Sequence, residues 1–282
     1  MSTAGPEALG LIAGTGTFPL DIARSARRRG RDVVAVAFHR HTDPRIEAAV
    51  SAVTWLHPGE VGAAVEALRS AGVRDAVMAG KVPKAALYEA SDGPRLDAEA
   101  AGIVGRLSAR GDVSLLTAVA DHLVSRGIRL LDQAELVPEL LAGEGPLGRT
   151  RLTAAQEADV AFGWPIAKVV AGLDIGQTVI VKDGTVLAVE AIEGTDAAIR
   201  RAGGVAPGAC VVKVAGPKQD PRFDLPAIGP ETARVLIAAG AAALAFEAGR
   251  TVVLDRDALV EAADAHGIAL VGIAAAGLSE SV

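Results

Sequence analysis

Through the N-terminal third of the chain, short apolar runs alternate with longer stretches that are apolar on one face only. Leu9–Ala13, Asp32–Phe38, Val53–Leu56 and Asp75–Ala79 read as strands. Between them, Pro19 to about Arg29 reads as a helix that opens on a proline suited to a first turn and stops at Gly30. Pro58–Ala71 reads as a second helix, ended by Gly72. This alternation predicts a parallel sheet with crossover helices. From Ala98 the pattern is mostly helical. Asp112 stands at an N-cap position before a long amphipathic stretch, and Ile128–Leu131 is a short strand.

The run Gly143-Glu144-Gly145-Pro146-Leu147-Gly148 is the strongest linker signal. It divides the chain into a first domain over 1–142, a linker over 143–152 and a second domain over 153–282. In the second domain Thr153–Val170 predicts a helix with a kink or break at Pro165. Gln177–Val181 and Val186–Ala191 predict a hairpin through Lys182-Asp183-Gly184. Gly194-Thr195-Asp196 opens a helix to about Ala202, with Thr195 or Asp196 as its cap. Then follow a strand at Cys210–Val214, one helix over Pro230–Ala248, a strand at Thr251–Leu254, a helix at Asp257–His266 and a strand at Ile268–Ile273. The fold class is α/β: a Rossmann-like parallel-sheet domain followed by a mixed α/β domain.

Composition narrows the function. Apolar residues make up 50% of the 282 and charged residues 22%, which suits packed domains. Aromatic residues are only 3% and the net charge is −6, which speaks against both a base-stacking platform and a duplex-binding surface. No nucleic-acid partner is expected. Cys210 is the lone cysteine, so neither an intrachain disulfide nor a cysteine zinc site can form, and a reducing compartment fits. The N-terminus lacks the pattern of a secretory signal, and the apolar run Val235–Phe246 is too short to span a bilayer. A cytoplasmic protein, or one peripheral to a membrane, is expected.

The chemistry concentrates in Val211–Gly229, where Lys213, Lys218, Asp220, Arg222 and Asp224 lie among Pro217, Pro221 and Pro226. A charged, proline-held loop between apolar elements is a natural place for function, and its cations suit phosphate. Fully extended, residues 220 to 224 would span ~13 Å, so the two aspartates share one metal ion only if a turn brings them together. Glu190, Glu193 and Asp196 place three acids within seven residues, which lysines or a hard divalent cation can answer. The loop Gly14-Thr15-Gly16-Thr17 follows a strand and precedes a helix, so its amides can cradle a phosphate. Pro19 and His39 stand where a dinucleotide fingerprint wants glycine and an acid, which disfavours an NAD site. Lys81 follows a strand at the end where open α/β sheets bind ligands. His57, His122 and His266 show no metal spacing. Arg24, Arg27, Arg28, Arg29 and Arg31 cluster at a helix C-terminus, where they complement the dipole or meet anionic lipid headgroups.

These residues resemble a known family, the LpxI-type UDP-2,3-diacylglucosamine pyrophosphatases of lipid A biosynthesis. The resemblance is carried by LIAGTGTFP near the start, AGKVPK at 79–84, GDVSLLTAV at 111–119, LDIGQTVIVKDGTVLAVEAIEGTDAAIRRAG at 173–203 and VVKVAGPKQDPRFDLPAIG at 211–229. It implies hydrolysis of a UDP-diacylsugar pyrophosphate to UMP and 2,3-diacylglucosamine 1-phosphate with a divalent cation, Mg²⁺ or Mn²⁺. It implies two α/β domains with the ligand cleft between them, at the cytoplasmic face of the inner membrane; a homodimer is compatible with it. By resemblance Asp224, Asp220 and Lys218 are catalytic. Gly14, Thr15, Lys81, Val82, Asp112, Gly194, Thr195 and Lys213 contact substrate, and Asp224, Asp196 and Glu193 hold the metal. Asp224 either binds metal or activates water. The alternative reading is a non-catalytic binder of a UDP-sugar or acyl lipid.

Overall fold

The computed structural model describes residues 8–82, 96–106, 112–217 and 219–274, with only the backbone at 112–114. The chain divides into two compact units: Met1–Pro138 with Asp220–Asp224, and Glu139–Gln219 with Leu225–Val282. A piece of the charged loop therefore belongs with the N-terminal unit, although the sequence order assigns it to the other half.

The first unit runs β1 (Leu9–Ala13), α1 (Phe18–Arg28), β2 (Val33–Phe38), α2 (Ile46–Ala49), β3 (Ala52–Leu56), α3 (Val61–Ser70), β4 (Asp75–Ala79), α4 (Ala98–Arg106), α5 (Asp112–Ser125), β5 (Arg129–Leu130) and α6 (Gln133–Leu136). Among the described residues its sheet has five strands in the order β3-β2-β1-β4-β5, paired in parallel throughout. The strands are apolar because helices cover both faces of such a sheet; Leu9, Leu11, Val33, Ala35 and Val77 are fully buried. Strand order changes direction at β1, and this opens a crevice at the carboxyl ends of β1 and β4. Ile12, Val36, Leu68, Met78 and Leu123 share one core with Phe223, which arrives from far along the sequence. α2 carries no strong periodic signal in its four residues and is not legible in the sequence.

The second unit runs β6 (Gly145–Pro146), α7 (Ala154–Gly172), β7 (Thr178–Lys182), β8 (Thr185–Val189), α8 (Thr195–Gly203), β9 (Cys210–Lys213), β10 (Ala227–Ile228), α9 (Pro230–Ala238), β11 (Ala243–Glu247), β12 (Val252–Val253), α10 (Arg256–Ala265) and β13 (Ala269–Ile273). Among the described residues the main sheet has the order β6-β13-β11-β9-β7-β8, and β10 pairs with β12 apart from it. β9, β11 and β13 are parallel, while β7, β8 and β6 pair antiparallel. The hairpin turns at Asp183 and Gly184, both at positive φ, as an Asp-Gly hairpin requires.

One expectation fails here for a physical reason. The stretch Pro230–Ala248 is not one helix. α9 stops at Ala238, Gly240 takes φ +63, and Ala243–Glu247 becomes a fully buried strand between β9 and β13. Alanine favours helix, but hydrogen bonding on both sides of a central strand overrides that preference. The helix expected over Thr153–Val170 is present, and of the two readings at Pro165 the break is excluded, since α7 continues to Gly172. The buried Trp164 and packing against β7 and β9 hold the helix through the missing N–H. The glycine-rich stretch after 143 carries β6, and beyond it the carboxylate of Asp264 accepts from the amides of Arg149 and Thr150.

Candidate functional site

In the first unit, the loops after β1 and β4 close on each other. The Gly14 amide donates to Ala79 O at 2.7 Å and the Thr15 amide to Lys81 O at 2.7 Å, so Thr15 and Lys81 form an antiparallel bridge. Both glycines are needed: a Cβ on Gly14 would lie 2.6 Å from Lys81 O, and one on Gly80, at φ +80, would lie 2.4 Å from Thr15 O. The expected phosphate cradle thereby loses two of its amides. Gly16 and Thr17 stay exposed, as does Lys81. Half-buried Val82 lines an apolar cavity of about 140 Å³, walled by Ile12, Phe38, Met78, Ile103 and Leu116 among others. Sequence reading missed this cavity, because its wall is drawn from strands and helices spread over a hundred residues. α5 begins at Asp112, whose side chain lies outside the described set.

The segment 220–224 forms a single turn in this unit. Asp220 O accepts from the amides of Phe223 at 3.2 Å and Asp224 at 2.9 Å, so the strand-like 13 Å separation does not arise. The Asp220 carboxylate is held by Arg222 through its amide at 3.0 Å and its guanidinium at 2.5 Å from Nη2. That guanidinium keeps Asp220 below the usual carboxylate range. Phe223 is buried in the core, and Pro221 O accepts from the Gln133 amide at 3.0 Å. Gln133 in turn donates its Nε2 to Met78 O at 2.6 Å. Asp224, half-buried, closes the turn, its amide donating to Asp220 O. Lys218 lies outside the described residues.

In the second unit the predicted residues Thr195 and Lys213 do meet. Lys213, 6% exposed on β9, donates Nζ to Thr195 Oγ1 at 2.9 Å. Thr195 donates to buried Glu190 at 2.9 Å, and Glu190 accepts from the Gln177 amide at 3.3 Å. Thr195 therefore does not cap α8. The N-cap is Gly194, with no side-chain cap, so the first-turn amides adjoin a buried lysine and a serial hydroxyl–carboxylate chain. Asp196 is exposed in that first turn. Glu193 points its carboxylate to Arg201 at 2.6 Å; its own amide, then Arg201, hold it below the ordinary range. Among the described residues no group of three or more His, Cys, Asp or Glu side chains is placed to hold a metal ion. Of the three carboxylates expected to hold a metal, Asp196 and Glu193 lie in this unit and Asp224 in the first, and Glu193 is paired with Arg201. Burial pushes the Cys210 thiol up to about 12, so it is no nucleophile at neutral pH.

Gln177 and Gln219 also enter this corner, with Gln219 Nε2 donating to Gln177 Oε1 at 2.9 Å. Both lie within the quoted motifs, yet neither carries a charge that would have singled it out. The order of contacts in the fold alone reveals them.

Comparison with known proteins follows these contours. Residues 8–140 match the LpxI N-terminal domain family and residues 143–271 the LpxI C-terminal domain family. A protein of Caulobacter vibrioides named UDP-2,3-diacylglucosamine pyrophosphatase LpxI is 33% identical over 279 residues, covering 94% of this chain and 97% of its own length. A solved biotin carboxylase domain of a thermophilic 2-oxoglutarate carboxylase aligns over 61% of this chain and 34% of its own at 11% identity, with a TM-score of only 0.27. With both domain families matched in order and an end-to-end relative at this identity, the chain belongs to the LpxI family.

Proposed function

We propose that this protein hydrolyses the pyrophosphate bond of UDP-2,3-diacylglucosamine in lipid A biosynthesis, releasing UMP and 2,3-diacylglucosamine 1-phosphate. The observation that carries this reading is Lys213: a nearly buried ammonium bonded to Thr195 at the open N-terminus of α8. A fixed cation beside helix amides suits phosphate oxygens, and it counters charge that grows on the leaving phosphate. The apolar cavity of the first unit suits acyl chains, for which Val, Leu and Ile walls suffice. Membership of the family whose named relative acts on this substrate supports the same reading.

In the reaction, water adds its oxygen to one phosphorus, the bridging P–O bond breaks, and a proton leaves the water. Asp224 orients or deprotonates that water. Asp220 shapes the turn through Arg222, Phe223 anchors it, and Lys218 is the further catalytic cation. A divalent cation, Mg²⁺ or Mn²⁺, would be held by carboxylates among Asp224, Asp196 and Glu193 and would offset charge on the phosphates. Gly14, Thr15, Lys81, Val82, Asp112 and Gly194 are the further residues that contact the substrate in this reading. Work at the cytoplasmic face of a membrane is supported by a cleft lined by Arg24, Arg27, Arg28 and Arg45, which suits anionic headgroups. No described helix is long and apolar enough to cross a membrane.

The test is UMP release from UDP-2,3-diacylglucosamine by the purified protein, with Mg²⁺ or with EDTA. Hydrolysis that needs the metal is expected. Tight binding without hydrolysis under any metal would instead make the protein a binder of the lipid nucleotide.

A further inference from the structure

Ala215 and Gly216, the two residues that follow β9 and Val214, are held in an unusual way. All four of their peptide groups are met by side chains. Glu247 Oε2 accepts from the Ala215 amide at 2.7 Å, and Lys168 Nζ donates to Ala215 O at 3.3 Å. Gln219 Oε1 accepts from the Gly216 amide at 2.7 Å, and Arg250 Nη2 donates to Gly216 O at 3.2 Å. Lys168 and Glu247 bond to each other at 2.5 Å. The Glu247 side chain is 0% exposed at the end of the central strand β11. Its Oε1 makes no hydrogen bond among the described residues, and Arg250 Nη1 stands 3.8 Å from it.

Stability alone does not account for this arrangement. A buried ion pair returns little beyond its desolvation cost, and apolar residues of the same volume would hold β11 and α7 together as well or better. What the charges do provide is direction. They grip backbone donors and acceptors that an apolar pair cannot. The gripped residues connect through Gln219 to Gln177, whose amide bonds Glu190, and Glu190 bonds Thr195, which bonds Lys213. The chain of contacts thus returns to the lysine three residues before Gly216.

We infer that Glu247, Lys168 and Arg250 are positioning residues: they fix the Ala215–Gly216 turn and, through Gln219 and Gln177, the Lys213–Thr195 corner that meets phosphate. This rests on the proposed pyrophosphatase reading for its functional consequence, but its structural content stands apart from it.

The experiment uses the full-length protein and a double variant, Lys168→Met with Glu247→Leu, which keeps volume and removes both charges. Melting temperature, hydrogen–deuterium exchange of the peptide spanning 214–219, and kcat and KM for UMP release are measured on each. The variant is expected to fold and to melt a few degrees below wild type, because the buried Ala215 amide loses its acceptor. Its Ala215 and Gly216 amides should exchange at least about tenfold faster, as a local opening freed of its anchors. Its kcat should fall about 10²-fold, the cost of a small misplacement at a reacting centre, with KM little changed. Arg250→Met alters a half-exposed side chain that the core does not need for folding, and it should show the same changes in smaller measure. Unchanged exchange in either folded variant overturns the inference, and so does faster exchange with full turnover. If the wild-type protein hydrolyses nothing, the pyrophosphatase reading falls, while exchange still decides whether the clamp holds the turn.

Discussion

In the first unit the loops after β1 and β4 are tied by backbone bonds between Thr15 and Lys81, and the cavity there is walled by Ile12, Met78 and other apolar side chains. In the second unit the corner after β9 is tied by side chains, with Lys213, Thr195, Glu190, Gln177 and Gln219 in series. The difference sets how each responds to change. An apolar wall tolerates substitutions that keep its volume. A buried polar series does not tolerate the loss of one member, because the partner left behind stays desolvated and unsatisfied. The first unit is therefore suited to hold a ligand of variable length, and the second to fix the position of a charged group.

The most severe test of this division is Asp224, the carboxylate that ends the turn at 220–224. Asp224→Ala is expected to lower kcat for UMP release about 10³-fold, with the melting temperature unchanged. Normal turnover would remove Asp224 from the mechanism and leave the turn at 220–224 a structural feature. Next in size is Lys213→Met, which strands Thr195 and Glu190 in the core. It should lower kcat/KM about 10²-fold and also lower the melting temperature; kcat/KM at the wild-type value would break the assignment of the polar corner to phosphate.

A smaller effect should come from the apolar side. Val119→Trp, on the cavity wall, is expected to raise KM for the diacyl substrate about tenfold, the scale at which hydrophobic pockets discriminate. A UDP-glucosamine analogue without acyl chains should be hydrolysed equally by wild type and variant. Equal loss on both substrates would show that the cavity does not hold the chains. Gly80→Ala probes the backbone closure: with φ +80 and a Cβ 2.4 Å from Thr15 O, it should cost about 1–3 kcal/mol in urea unfolding.

The smallest effect concerns acid. Backbone bonds from Arg149 and Thr150 hold the Asp264 carboxyl at about 2, below its ordinary 3.8. A carboxylate with a lowered folded pKa contributes stability that is present above the unfolded value and is lost as pH falls through the folded one. Asp264→Asn should therefore melt a few degrees below wild type at pH 7. The gap should close between the ordinary value of 3.8 and about 2. A gap that persists unchanged at the acid end would mean that the amide bonds, and not the charge, hold the segment after β6.

Much of the first unit was legible because its parallel strands are buried on both faces and therefore appear as continuous apolar runs. The hairpin was legible because Asp183-Gly184 is one of few pairs that accept two positive φ angles. β11 was not, since AAALAFE has no period that separates strand from helix, and only its neighbours decide. The charged positions Lys213, Thr195 and Glu190 could be named from sequence, but not their order of bonding. Glu193, listed beside them by spacing, turns out to face Arg201. Glu247 gave no signal, because it falls in the last turn of the stretch Pro230–Ala248, which reads as one helix with a solvated end.

The chain by itself determined its family, its α/β class and the stretches in which charge collects, since these rest on local order: runs, turns, caps and motifs. Tertiary structure alone decided that Asp220–Asp224 packs with the N-terminal unit, that Glu247 is buried and grips Ala215, and that distant helices wall one cavity. The physical reason is that burial and hydrogen-bond partnership depend on which segments meet in space. That meeting is fixed by the packing of whole elements and not by any one window of sequence.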